Sequence, residues 1–270
     1  MSATAIPILL YHSVADDCDP RFAEWAVSPE LFAAQMQHLA DSGYTALTVR
    51  ELVYRVFARR LAPPDRTVVI TFDDGFEDFY TDAWPALERH GLSATVFVTS
   101  GAVGATSTWL ADLGEGDRPM MTWAQIEEVA AAGIEIGAHG HEHLQLDTVP
   151  GRRAWQDIMR SKHTLERSVG LVESFAYPHG YHTAGLKRTV ERAGFLSACA
   201  VKDAMSASDD DRFALARIVV RGGTDVETFG EMVRGIHHGH PRGRRIVARG
   251  VWRAARRVGA EPLIARVRQR

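Results

Sequence analysis

Between residues 6 and 220 the chain alternates short apolar runs with stretches of helical periodicity, and this alternation limits its fold more than any other feature. The runs are IPILLYH, TALTV, TVVITF, ATVFVT, GIEIGAH, ESFAYP, FLSACAV and FALARIVV, rich in β-branched residues and short enough to be buried strands. Helix signals fall between them. Ser28-Pro29-Glu30 offers an N-cap and an N1 proline, Thr122 and Gln125 form a capping-box pattern, and Gly43, Gly91, Gly133 and Gly194 stand where helices should stop. Seven or eight strand–helix units predict a parallel sheet that closes into a complete or distorted (β/α) barrel. No repeat or linker divides residues 1–240, which read as one domain. The poorly patterned stretch 99–121 reads as a surface excursion on the side where βα loops build sites.

A length of 270 residues with 46% hydrophobic content suffices for a full core. The net charge of −3 hides an asymmetry: residues 241–270 hold ten Arg against Glu261 alone, +9, so residues 1–240 carry −12. Val247, Val251, Ala254 and Val258 recur at helical spacing among those arginines, the pattern of a basic amphipathic helix. Such a tail can pack on the domain or make peripheral contact with an anionic membrane; nucleic acid is not an expected partner. The first residues lack a basic n-region, no run approaches a membrane span, and Cys18 and Cys199 form no disulfide framework, so a cytoplasmic location is expected.

Polar chemistry collects where strands end. VVITFDDGFED, residues 68–78, runs a strand into Asp73 and Asp74, and Gly75 then turns the backbone. Two adjacent carboxylates repel unless a cation or shared proton compensates, which suggests a metal; a helix N-cap followed by a first-turn acid is the plainer alternative. GIEIGAHGHEHLQL, residues 133–146, places His139, His141 and His143 at alternate positions, and one carboxylate with two imidazoles leaves a coordination position open for water. HEHLQ is not the HExxH pattern, since Gln145 stands where a second histidine is required. ESFAYPHGYH, residues 173–182, ends a strand in a Pro-His-Gly turn that can aim backbone N–H groups into a cavity.

Together TFDDG, AHGHEH and FAYPHG resemble the three motifs of the polysaccharide deacetylase family, carbohydrate esterase family four, over roughly residues 6–235. The resemblance implies a distorted barrel of seven (β/α) units and one divalent metal ion, Zn²⁺ first with Co²⁺, Ni²⁺ or Mn²⁺ as substitutes. It implies Asp74, His139 and His143 as metal ligands, Asp73 as catalytic base, and Tyr177, Pro178 and His179 at the oxyanion and substrate site. His141 becomes a neighbour. Two departures stand out: Ala176 occupies the place of an arginine that would hold the catalytic Asp, and no C-terminal Leu-x-His acid motif is evident. Arg217 is the candidate replacement for the first, a surface salt bridge being the alternative. For the second, a branch resembling poly-N-acetylglucosamine deacetylases opens on an apolar strand ending in Tyr-His, which makes His12 the expected general acid. The histidines of GIHHGH, 235–240, read as surface residues.

The implied activity is hydrolytic removal of N-acetyl groups from an N-acetylglucosamine-type sugar or saccharide conjugate, with Trp109, Trp123 and Tyr177 as candidate sugar-stacking aromatics. Hydrolysis of non-sugar amide, ureide or formamide bonds on the same barrel, and saccharide binding without catalysis, are the alternatives.

Overall fold

The structure is a computed structural model that describes residues 4–236. The basic tail, 241–270, and the histidines of GIHHGH lie outside the described residues. Eight strands run parallel: β1 (Ile8–Tyr11), β2 (Thr45–Leu47), β3 (Thr67–Phe72), β4 (Thr95–Val98), β5 (Glu135–Ala138), β6 (Ser174–Ala176), β7 (Ser197–Cys199) and β8 (Ile218–Val219). Their order is β7-β6-β5-β4-β3-β1-β8, with β2 paired to the first half of β3. A parallel bridge from Cys199 to Leu215, just before β8, joins the two ends of this order. The sheet is thus a curled, distorted (β/α) barrel, as the alternation predicts.

The helices outside it are α1 (Pro29–Asp41), α2 (Val49–Val53), α3 (Trp84–Arg89), α4 (Trp123–Ala131), α5 (Gly151–Val169), α6 (Ala184–Arg192) and α7 (Val226–Val233). Their expected start signals hold: Ser28 Oγ accepts the Leu31 amide at the head of α1, and Thr122 with Gln125 closes a capping box on α4. Each such cap contributes about 1 kcal/mol. Gly43, Gly91, Gly133 and Gly194 all adopt positive φ, where a Cβ would be strained.

Strand parity separates two cores. Ile8, Val69, Phe97, Ala176, Cys199 and Leu215, one residue from each of six strand segments, cluster inside the curl, and Val49, Leu52 and Val53 of α2 close it below. The α2 amides of Val49 and Arg50 donate to Thr95 Oγ1 and Glu135 Oε2 at the first residues of β4 and β5, which fixes α2 at the N-terminal end. Leu9, Tyr11, Ile70, Phe72, Val98, Ala138, Phe175 and Tyr177 take the opposite parity and pack between sheet and helices. Counting on by two from Ile8, Val69 and Leu215, and from Gly137 of β5, which abuts the inward Phe97 ring, brings His12, Asp73, Arg217 and His139 to the inward side at the C-terminal end, where such barrels place their chemistry.

Candidate active site

This parity answers why a buried strand should end in Tyr11-His12. Tyr11 points outward, fully buried, and donates its hydroxyl to Gln35 Oε1 of α1 at 2.8 Å. His12, one residue on, is half-buried on the inward side, with its ring 5.0 Å from that of Trp25. Burial lowers its pKa, and the charges of Asp74 and then Asp73 pull it back up.

Asp73 follows Val69 and Thr71 on the inward face of β3 and is held by Arg217 through two parallel bonds, Nη1 to Oδ1 at 2.6 Å and Nη2 to Oδ2 at 2.7 Å. The guanidinium is 0% exposed; it also donates to Thr71 Oγ1 and the Ala200 carbonyl, both at 3.2 Å. Of the two readings the sequence left for Arg217, the structure shows the buried contact with Asp73 and not a surface salt bridge. Burial alone would raise the Asp73 pKa, but the Arg217 charge and hydrogen bonds together with the His139 and His12 charges outweigh it, and the carboxyl is held below its ordinary value.

Asp74 leaves strand parity through a φ of 73°, followed by Gly75 at 89°. Its Oδ1 lies 3.0 Å from His143 Nε2 and 3.5 Å from His139 Nε2. One donor atom from each of the three residues lies within 4.8 Å of the other two, and all three side chains are buried. His139 Nδ1 sits 3.0 Å from the Ala176 carbonyl, an acceptor only, so that nitrogen carries the proton and Nε2 presents its lone pair towards Asp74. Asp74 Oδ1, though buried, receives no hydrogen bond of acceptable geometry. Burial lowers His139 to about 4, so it is neutral near pH 7, while the nearby histidines outweigh burial at Asp74 and keep it ionised. An orphaned carboxylate oxygen facing two imidazole nitrogens fits a divalent cation of the borderline kind.

His141 is elsewhere: its Nδ1 lies 2.9 Å from Ser100 Oγ, as the motif comparison implied. The Pro178–Gly180 turn forms, with His179 exposed at φ 59° and its ring 4.8 Å from that of His143. Tyr177 corrects the sequence reading. Its ring is 0% exposed on the outward parity, its hydroxyl donates to the Phe213 carbonyl at 3.0 Å and its amide to Cys199 O, so neither ring nor amide is offered to a sugar. Pro178 is likewise buried and offers no N–H. Trp123 opens α4 and packs, half-buried, on the outer core. Trp109, from the 99–121 excursion, stacks on His143 with ring centroids 4.7 Å apart and planes at 17°. The excursion is more than surface: Met120 and Met121 are buried, and Arg118 pairs with Glu115 and Asp78. Sequence reasoning missed Thr71, which lies two residues before Asp73 and was readable by parity, and Trp25, for which no signal existed.

The profile of the polysaccharide deacetylase family matches residues 60–198. Among curated proteins, Bacillus subtilis YxkH is 28% identical over 229 residues, covering 84% of this chain and 76% of the relative. The poly-β-1,6-N-acetyl-D-glucosamine N-deacetylase of Staphylococcus epidermidis is 23% identical over 206 residues, covering 73% and 68%. The Streptococcus pyogenes deacetylase PplD, solved in complex with acetate, shares the fold at a TM-score of 0.74 and 24% identity, over 87% of this chain and 99% of that one. Parallel barrel, inward carboxylate pair and histidine cluster agree with this likeness: the chain belongs to the polysaccharide deacetylase family, enzymes that hydrolyse N-acetyl groups.

Proposed function

We propose that this protein removes N-acetyl groups from an N-acetylglucosamine-type sugar or saccharide conjugate, using a divalent cation, zinc first, held by Asp74, His139 and His143. The sugar class is supported by the name of the staphylococcal relative. The cation supplies Lewis acidity towards the acetyl carbonyl and acidifies water at neutral pH. The observation that carries the reading is Asp73, locked by Arg217 beside the Asp74–His139–His143 group.

Asp73 is the base. Arg217 occupies one lone-pair direction on each carboxylate oxygen, which fixes the plane and leaves an oxygen lone pair to take the proton of the attacking water. His12 is the acid and gives its proton to the amine nitrogen as the C–N bond breaks; an amide nitrogen does not depart unprotonated. The His179 backbone N–H, at the positive-φ turn, is assigned to the oxyanion. Acetate and a free amino sugar leave. The +9 charge of residues 241–270 supports peripheral contact with an anionic surface.

Acetate release from N-acetylglucosamine oligosaccharides by the zinc-loaded protein tests this. Asp73→Asn and His12→Ala, folded and metal-loaded, should each lose about 10²–10⁴ in rate. Full activity in either variant removes that residue from its role, and release of formate or ammonia from non-sugar amides in place of acetate favours the other hydrolase class. Among the described residues no helix is long and apolar enough to cross a membrane.

A further inference from the structure

The backbone between His139 and His143 is shaped by one side chain from α5. After the His139 amide donates to Val98 O at 3.0 Å, Gly140 turns at φ 77° and the next two amides, His141 and Glu142, donate to Asp157 Oδ2 and Oδ1, each at 2.9 Å. Asp157 is only 4% exposed. The approach is so close that a Cβ on residue 140 would lie 2.7 Å from Asp157 Oδ2. The carbonyls of the same turn are taken as well: Ser100 N donates to Gly140 O at 3.2 Å and Gly101 N to His141 O at 2.9 Å. The turn delivers His143 at φ 53°, a conformation costing a non-glycine residue about 1–3 kcal/mol, with Nε2 3.0 Å from Asp74 Oδ1.

We propose that Asp157 is a positioning residue for the cation site: by accepting two successive amides it sets the turn that holds His139 and His143 at ligating separation before any cation arrives. This rests on reading Asp74, His139 and His143 as ligands. A purely structural role for Asp157 predicts loss of stability; a positioning role predicts loss of cation affinity in a protein that stays folded. Asp157→Asn keeps the shape of the side chain but turns one acceptor into an NH₂ group facing an N–H donor. Gly140→Ala leaves Asp157 intact but drives a methyl into its oxygen.

The full-length protein, stripped with a chelator and titrated with Zn²⁺ by calorimetry, decides the matter. Asp157→Asn and Gly140→Ala should weaken Zn²⁺ binding about 10–100-fold, the scale of groups that orient ligands. The metal-free variants should remain folded, with Gly140→Ala melting below the wild type because its methyl is strained at φ 77° and meets Asp157; hydrogen exchange at amides 141 and 142 should accelerate, and acetate release should return at saturating Zn²⁺. Glu142→Ala, which keeps its amide, is the control and should bind as the wild type does. Wild-type affinity in both Asp157→Asn and Gly140→Ala overturns the proposal. Failure of the wild type itself to take up Zn²⁺ or Co²⁺ is a separate result: it removes the ligand assignment, and the proposal falls with it.

Discussion

Replacing Arg217 by Met removes the groups that satisfy Asp73. The fully buried guanidinium donates to Asp73 at 2.6 and 2.7 Å and to Thr71 and Ala200, and methionine fills much of its volume while donating nothing. The main loss is two charge-assisted bonds, and the orphaned carboxylate stays buried. Breaking one side of such a pair costs about 3–5 kcal/mol. With an m-value of about 3 kcal/mol/M in urea, the unfolding midpoint should fall by about 1–2 M. Asp73→Asn in the same background takes away the stranded charge, so the double variant should be less destabilised than the sum of the two singles, by about 2–3 kcal/mol. The sign of the pH effect follows from the depressed carboxyl. In the wild type, stability from the pair is present above the unfolded Asp pKa and is lost as pH falls through the lower folded value; in Arg217→Met, burial is opposed only by the His139 and His12 charges, so the folded pKa rises and the acid limb of acetate release moves to higher pH. Arg217→Lys restores charge without the fork and should recover only part of the loss. Additive urea midpoints together with an unmoved acid limb would refute this account of Asp73.

Three further outcomes are expected. Glu135, buried at the floor of the barrel, has its pKa raised above 4.5 by burial, so its contribution to stability is full below that value and declines as pH rises through the folded pKa; Glu135→Gln should abolish this slope in urea melts at several pH values. Gly137→Ala should cost about 1–3 kcal/mol in thermal unfolding, because the added Cβ would lie 2.5 Å from the inward Phe97 ring. Tyr177→Phe should cost about 1–2 kcal/mol by orphaning the Phe213 carbonyl and leave acetate release unchanged; a large loss of rate with retained stability would return Tyr177 to the substrate site.

The residues most legible in the sequence were those whose neighbours along the chain already carry the message. Asp73 and Asp74 stand together at the end of one strand, and His139 and His143 lie four apart at the end of another, so a single βα loop delivers each pair. Tyr177 was misplaced by one step of parity: Ala176 faces the barrel interior, and the residue after it must face the helices. Arg217 was half readable. Its place at a strand end could be seen, but the choice between surface ion pair and buried clamp depended on where β8 lies relative to β3, and that is set by β1 standing between them.

The order of strands and helices, the polar residues at strand ends and the chemistry those residue types permit were determined by the sequence alone, because hydrophobic period and turn residues act over a few positions. Curling of the sheet, stacking of Trp109 on His143, the approach of Trp25 to His12 and the grip of Asp157 on the histidine turn were decided only by tertiary structure. Each joins segments between about 13 and 34 residues apart or brings together opposite ends of a barrel order, and contacts of that kind depend on how whole elements pack.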